Sequence, residues 1–151
     1  IAIEVKSGQR RQKSLIDISS VDQLEEPDSG QLYLAHFIFE SDPNGLYTVP
    51  ILVNSIMEMT DSPAQLVELF QVAGYDEDNI DEWNRFRFSL LQNNYYFIDG
   101  YFPKLTRKEI INGIPEGVSH IKYTIDLSAA RECIQDDDNV ERMFADFCNR
   151  L

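Results

Sequence analysis

The chain begins IAIEVKSGQRRQK, and within that stretch Glu4 and Lys6 are the first residues whose types and spacing could do chemistry. Ile1, Ile3 and Val5 alternate with Ala2, Glu4 and Lys6, the period of a β-strand, so the carboxylate and the ammonium leave the same face. This alternation predicts an apolar row turned to the core and Glu4 and Lys6 turned away from it. A carboxylate can ligate Mg²⁺, a hard cation that prefers oxygen ligands. The lysine beside it can orient or deprotonate an attacking water, or offset charge growing on a phosphate. Metal-assisted phosphodiester hydrolysis is therefore within the pair's reach. Glu-x-Lys is also common on exposed strands as a mutually compensating pair, so spacing alone leaves both readings open.

Charge adds to the first reading. Lys6, Arg10, Arg11 and Lys13 fall within the first 13 residues of a chain that has 13 basic residues, 26 acidic residues and a formal net charge of -13. Such an acidic total argues against broad, nonspecific nucleic-acid binding, which draws on Lys and Arg. A local basic rim is a different matter: Arg10, Arg11 and Lys13, just beyond the strand, are placed to face phosphates. A solvated loop is the alternative.

The elements that must position these residues read as a mixed α/β (α+β) fold. At 151 residues, 43% hydrophobic and 26% charged, the chain is predicted to be a single domain over 1–151, with a core strand–helix–strand over about 1–45 and a helical and hairpin extension over about 46–151. Residues 7–18 read as a loop. Ser20 is the expected N-cap of a short helix, with Gln23 as its capping-box partner and Pro27-Asp28-Ser29-Gly30 as its stop. QLYLAHFIFE, residues 31–40, reads as a strand covered on both faces. After the turn Asp42-Pro43-Asn44-Gly45 come two helices, one from about Thr48 to Met59 and one capped by Ser62, opened by Pro63 and stopped by Gly74. FRFSLL and YYFID read as paired strands about Asn93-Asn94, and SHIKYTIDL as a strand with Ile121, Tyr123, Ile125 and Leu127 on one face. The last helix, about Asn139 to Arg150, follows the acidic entry Asp136-Asp137-Asp138 and carries Val140, Met143, Phe144 and Phe147 as a stripe.

Other chemistries lack their residues. There is no Gly-rich phosphate loop, no nucleophile elbow and no zinc spacing, and Cys133 and Cys148 read as buried or free thiols of a reducing, cytoplasmic compartment. No apolar run reaches the roughly 20 residues of a membrane span. His36 shares a period-two row with Leu32, Leu34 and Ile38 and reads as a core or interface histidine, whereas His120 reads as solvent-facing. Trp83 reads as a packing anchor. Lys104, Arg107 and Lys108 read as a solvated loop with nucleic-acid contact as the alternative, and Tyr95, Tyr96, Phe97, Tyr101 and Phe102 read mainly as core.

IAIEVKSG, the basic loop, ISSVDQLE and QLYLAHFIFE together resemble the core of the PD-(D/E)xK nuclease superfamily, in which a (D/E)xK strand is followed by a helix and another strand. GYFPKLTRKEI and GIPEGVSHIKYTIDLSA are similar to a prokaryotic family labelled "PD-(D/E)XK motif protein", associated with restriction and phage-defence gene clusters. The resemblance implies a restriction-endonuclease-like sheet flanked by helices, and a DNA endonuclease using Mg²⁺ or Mn²⁺. It makes Glu4 the acidic metal ligand, Lys6 the motif lysine, and Gln23 the glutamine some members place near the site, alongside its capping role. DNA is the implied partner, with a homodimer or other defence-system proteins as further partners. The motif's first aspartate belongs on a preceding strand, and this chain starts at Ile1. The expectation is therefore a C-terminal portion of a longer protein, inactive or nearly so by itself. The rival reading is a non-catalytic DNA- or protein-binding module of the same fold, because fold does not fix activity.

Overall fold

The computed structural model describes residues 1–12, 14–110 and 113–149. The chain forms a mixed α+β fold whose strands are β1 (Ala2–Gln9), β2 (Leu15–Ile18), β3 (Leu32–Ser41), β4 (Phe88–Phe97) and β5 (Tyr123–Asp126). Its α-helices are α1 (Val49–Glu58), α2 (Pro63–Val72), α3 (Ile80–Trp83) and α4 (Asp137–Cys148). It divides into two compact units, one made of Ile1–Ile38 with Leu91–Leu151, the other of Phe39–Leu90.

The first unit holds the site. Strands β1, β3 and β4 form a sheet in that order. The Gln31 carbonyl accepts the Ala2 N–H at 2.8 Å, and Gly8 lies against His36 and Ile38, so β1 and β3 run in the same direction. Leu32 accepts the Ile98 N–H at 3.0 Å, and Tyr33 meets Phe97 while Phe37 meets Tyr95, so β4 runs the opposite way. In β3 the five residues Leu32–His36 are all buried, which is what a strand covered on both faces requires. The core gathers around Leu34, Ile18 and Leu24, all fully buried, with Ile16, Ile98 and Ile125.

Four expectations change in this unit. Residues 7–18 are not one loop: β1 runs on to Gln9, and Leu15–Ile18 pair antiparallel with β5 in the register Ile16↔Ile125. The alternation Leu-Ile-Asp-Ile buries Ile16 and Ile18 and exposes Asp17, a strand pattern hidden behind the polar residues before it. No helix forms after Ser20. Its hydroxyl accepts the Asp22 N–H at 3.1 Å in a tight turn, and Pro27 leaves too few residues for a helix to propagate. Asn93-Asn94 does not turn the chain: β4 continues through it, and the Asn94 amide donates to the Tyr96 hydroxyl at 3.3 Å. Only Tyr123–Asp126 of the 119–127 segment is strand, since His120 adopts a left-handed backbone at φ 56°. Within it Ile125 and Leu127 are buried as the alternation predicted. The aromatic residues divide as a core would: Tyr96 packs edge-on against Phe102, both buried, and Tyr101 is exposed.

The second unit follows the sequence closely. Thr48 caps α1 by accepting the Ile51 N–H at 3.3 Å, Pro63 opens α2, and Gly74 leaves it at φ 91°. Trp83 packs against Tyr75, whose ring in turn meets Phe70. Gly45 is required where the turn passes Phe88. A Cβ there would fall 2.5 Å from backbone atoms of Phe88, closer than any side chain can relieve. Gly45→Ala should therefore destabilise the protein by roughly 3 kcal/mol, read as a lower urea midpoint. An unchanged midpoint would mean that the turn and β4 shift apart freely.

Candidate active site

On β1 the even residues face inward. Ala2 packs against the core, Glu4, Lys6 and Gly8 are half-buried, and Val5 is 59% exposed. The expected orientation is thus reversed: the face bearing Glu4 and Lys6 is the covered one. The sequence showed the alternation but not its sign, because the polar ends of these side chains find partners beneath the surface. The Lys6 ammonium lies 3.5 Å from a Glu4 carboxylate oxygen, with the side chains only 17% and 23% exposed respectively.

Gln23 completes the group from the turn after β2. Its amide nitrogen donates to the same Glu4 oxygen at 2.6 Å, and its amide oxygen accepts the Ser19 N–H at 2.9 Å. The two roles open for Gln23 are thereby both filled in altered form. It braces a backbone N–H, that of Ser19 rather than Ser20, and it meets the Glu4 carboxylate. Its carboxamide can do both because its oxygen and nitrogen face opposite ways.

The turn that carries Gln23 is held by three ion pairs. Arg107 binds the Asp22 carboxylate with both Nε and a terminal nitrogen, the latter at 3.0 Å. Lys104 reaches Glu26 at 2.7 Å and Lys108 reaches Glu25 at 3.8 Å. The second basic group is therefore engaged with the acidic turn rather than with solvent alone. The hydrogen bond from Arg107 holds the Asp22 carboxyl below the ordinary carboxylate range, against a small opposing effect of burial. A depressed folded-state value gives a contribution that is complete above the unfolded value near 3.8 and fades as pH falls through the lower folded one. Asp22→Asn should lower the thermal midpoint at neutral pH and match wild type in strong acid. A gap that persists there would assign the loss to packing.

Arg10 and Arg11 lie in the 3₁₀ turn Arg10–Gln12 directly after β1, both exposed. Lys13, the third expected phosphate contact, lies outside the described residues. His120 lines an open pocket of about 490 Å³ with Ser19, Ser20, Asp22 and Arg107. His36 is buried at 2% exposure, as its row predicted, and burial pushes its imidazole below the usual histidine value.

Among the described residues no group of three or more His, Cys, Asp or Glu could enclose a metal ion. Mg²⁺ does not need such a cage, because it keeps several waters and is often bound through one or two carboxylates together with substrate phosphates. Glu4 fits the part of one protein oxygen ligand. The ammonium 3.5 Å away opposes a second positive charge, so Glu4 alone would hold the ion weakly.

Glu4-Val5-Lys6 reads as the (D/E)xK half of a nuclease motif on a strand, with a glutamine on its carboxylate. The model of the family DUF4420, described as a "Putative PD-(D/E)XK family member", matches residues 1–128. The chain belongs to this family. No curated protein and no solved structure matches it. The family match spans β1, the Gln23 turn, β3 and β5, and so covers every residue of the group around Glu4.

Proposed function

We propose that the chain carries the (D/E)xK part of the active site of a Mg²⁺-dependent DNA endonuclease, completed in the full-length protein by a further carboxylate. The convergence of Lys6 and Gln23 on one oxygen of Glu4 carries this reading. Glu4 would hold the divalent ion, Mg²⁺ or Mn²⁺, which when bound supplies Lewis-acid polarisation of the phosphate and a more acidic water. Lys6 donates a hydrogen bond that orients the attacking water, and its charge opposes the negative charge growing on the phosphate oxygens. Gln23 fixes the carboxylate rotamer by donating to it, so that the free lone pairs of Glu4 keep one direction. Arg10, Arg11 and Lys13 form the phosphate-facing rim and steer DNA to one local patch of an acidic protein. The resemblance to proteins associated with restriction and phage-defence clusters supports foreign DNA as the substrate.

Rim contacts have a distinct signature. Arg11→Ala should weaken DNA binding about equally for all sequences and reduce the slope of log K against log salt by about 0.9. An unchanged slope would remove Arg11 from the rim. The reaction itself is tested by incubating the full-length protein with supercoiled plasmid in Mg²⁺ or in excess EDTA. Nicked or linear product in Mg²⁺ alone is expected. Binding without any cleavage would replace the enzyme with a non-catalytic DNA-binding module.

A further inference from the structure

The buried imidazole of His36 stands on the same sheet face as Glu4 and Lys6, one strand over. Because β1 and β3 run in the same direction, Glu4, Lys6 and Gly8 pass alongside Leu34, His36 and Ile38. The His36 Nε2 atom is fully buried and has no hydrogen-bond partner among the described residues. It points at Gly8, where a Cβ would sit 3.6 Å from it. The absence of a side chain at Gly8 thus leaves open the space beside this nitrogen, two residues along β1 from Lys6.

Donors and acceptors on this face are complementary. An ammonium has three N–H donors and no acceptor, and a neutral imidazole has one nitrogen that only accepts. Lys6 is largely covered, and its ion-pair distance of 3.5 Å to Glu4 is long for a hydrogen bond. Burial keeps His36 neutral, which preserves the lone pair. A buried polar atom without a partner costs stability and persists where something makes use of it.

We propose that His36 is a positioning residue for Lys6: its Nε2 accepts a hydrogen bond from the Lys6 ammonium, directly or through one water seated over Gly8. The contact gives Lys6 a second partner. Glu4 can then turn its carboxylate to a divalent ion while the ammonium stays on the site face. This inference rests on the nuclease reading for its purpose, but the contact itself exists with or without cleavage.

The test follows the reactivity of Lys6 toward an amine-acylating reagent in the metal-free full-length protein, quantified by mass spectrometry. An ammonium held by two acceptors gives up its proton less readily and acylates slowly. His36→Met removes the acceptor while keeping an apolar body of similar size, and acylation of Lys6 should rise about 3- to 10-fold. His36→Gln places an amide oxygen near the Nε2 position and should restore the slow rate. Gly8→Ala sets a methyl against Nε2 in ordinary contact and should raise the rate likewise, even if His36→Met does not fold. Unchanged Lys6 reactivity in Gly8→Ala or folded His36→Met would overturn the proposal and leave His36 as a filler of the core. If the reactivity responds but the protein never cleaves DNA, the His36–Lys6 contact stands and the nuclease reading falls.

Discussion

Lys6→Ala and Glu4→Ala should each reduce the rate of Mg²⁺-dependent DNA cleavage by the full-length protein about 10³-fold or more, with the thermal midpoint close to wild type. The two losses differ in origin. Lys6→Ala removes a hydrogen-bond donor and a positive charge from the reacting phosphate, so its defect should remain at saturating Mg²⁺. Glu4→Ala removes the protein's oxygen ligand from this strand, so its residual rate should need higher Mg²⁺. Glu4→Ala also strands Gln23 and Lys6, which share its carboxylate at 2.6 and 3.5 Å. Gln23→Ala should be milder, about 10- to 100-fold, because it acts through the orientation of a ligand. A Gln23 defect equal to that of Glu4 would mean the amide touches the reacting groups itself.

Leu34→Ala should have the largest effect on stability. Leu34 is fully buried at the centre of β3 and belongs to the principal core cluster. Truncation removes buried methyl and methylene groups and leaves a cavity that β-strand neighbours cannot easily close. The expected loss is about 3 kcal/mol. That is a large share of the roughly 5–15 kcal/mol that holds a domain together. For a chain of this size it lowers the thermal midpoint by roughly 10 °C. β3 lies directly beside the strand that carries Glu4 and Lys6, so activity should vanish on heating in step with unfolding. A loss under about 1 kcal/mol, read from the denaturant midpoint at constant slope, would show that the core relaxes into the space.

The sequence made the chemistry legible before the architecture that shelters it. Period two put Glu4 and Lys6 on one face, and the structure keeps them there. Which face is covered was not legible, because half-apolar rows on both sides of IAIEVK balance and the decision comes from the neighbour strand. Helix caps acted locally and were readable: Thr48, Pro63 and Asp136 start helices where their chemistry says they should. The Ser20–Gln23 capping pattern misled because its groups satisfy a turn as well as a helix, and only the long-range partner of Gln23, Glu4, shows which one wins. The ion pairs of Arg107 with Asp22 and Lys104 with Glu26 join residues some 80 positions apart, beyond the reach of any local pattern. His36 was legible as buried, but its open nitrogen depends on a glycine in another strand.

The central claim is that Glu4 and Lys6 serve one divalent-dependent nuclease site. Its most direct measurement is plasmid cleavage across a Mg²⁺ titration by full-length wild type, Glu4→Ala and Lys6→Ala, each first shown to be folded. The account predicts cleavage by wild type that rises with Mg²⁺ and disappears in EDTA, and almost none by either variant. Cleavage that survives both substitutions, or a wild type that never cuts DNA at any Mg²⁺ concentration, would contradict it.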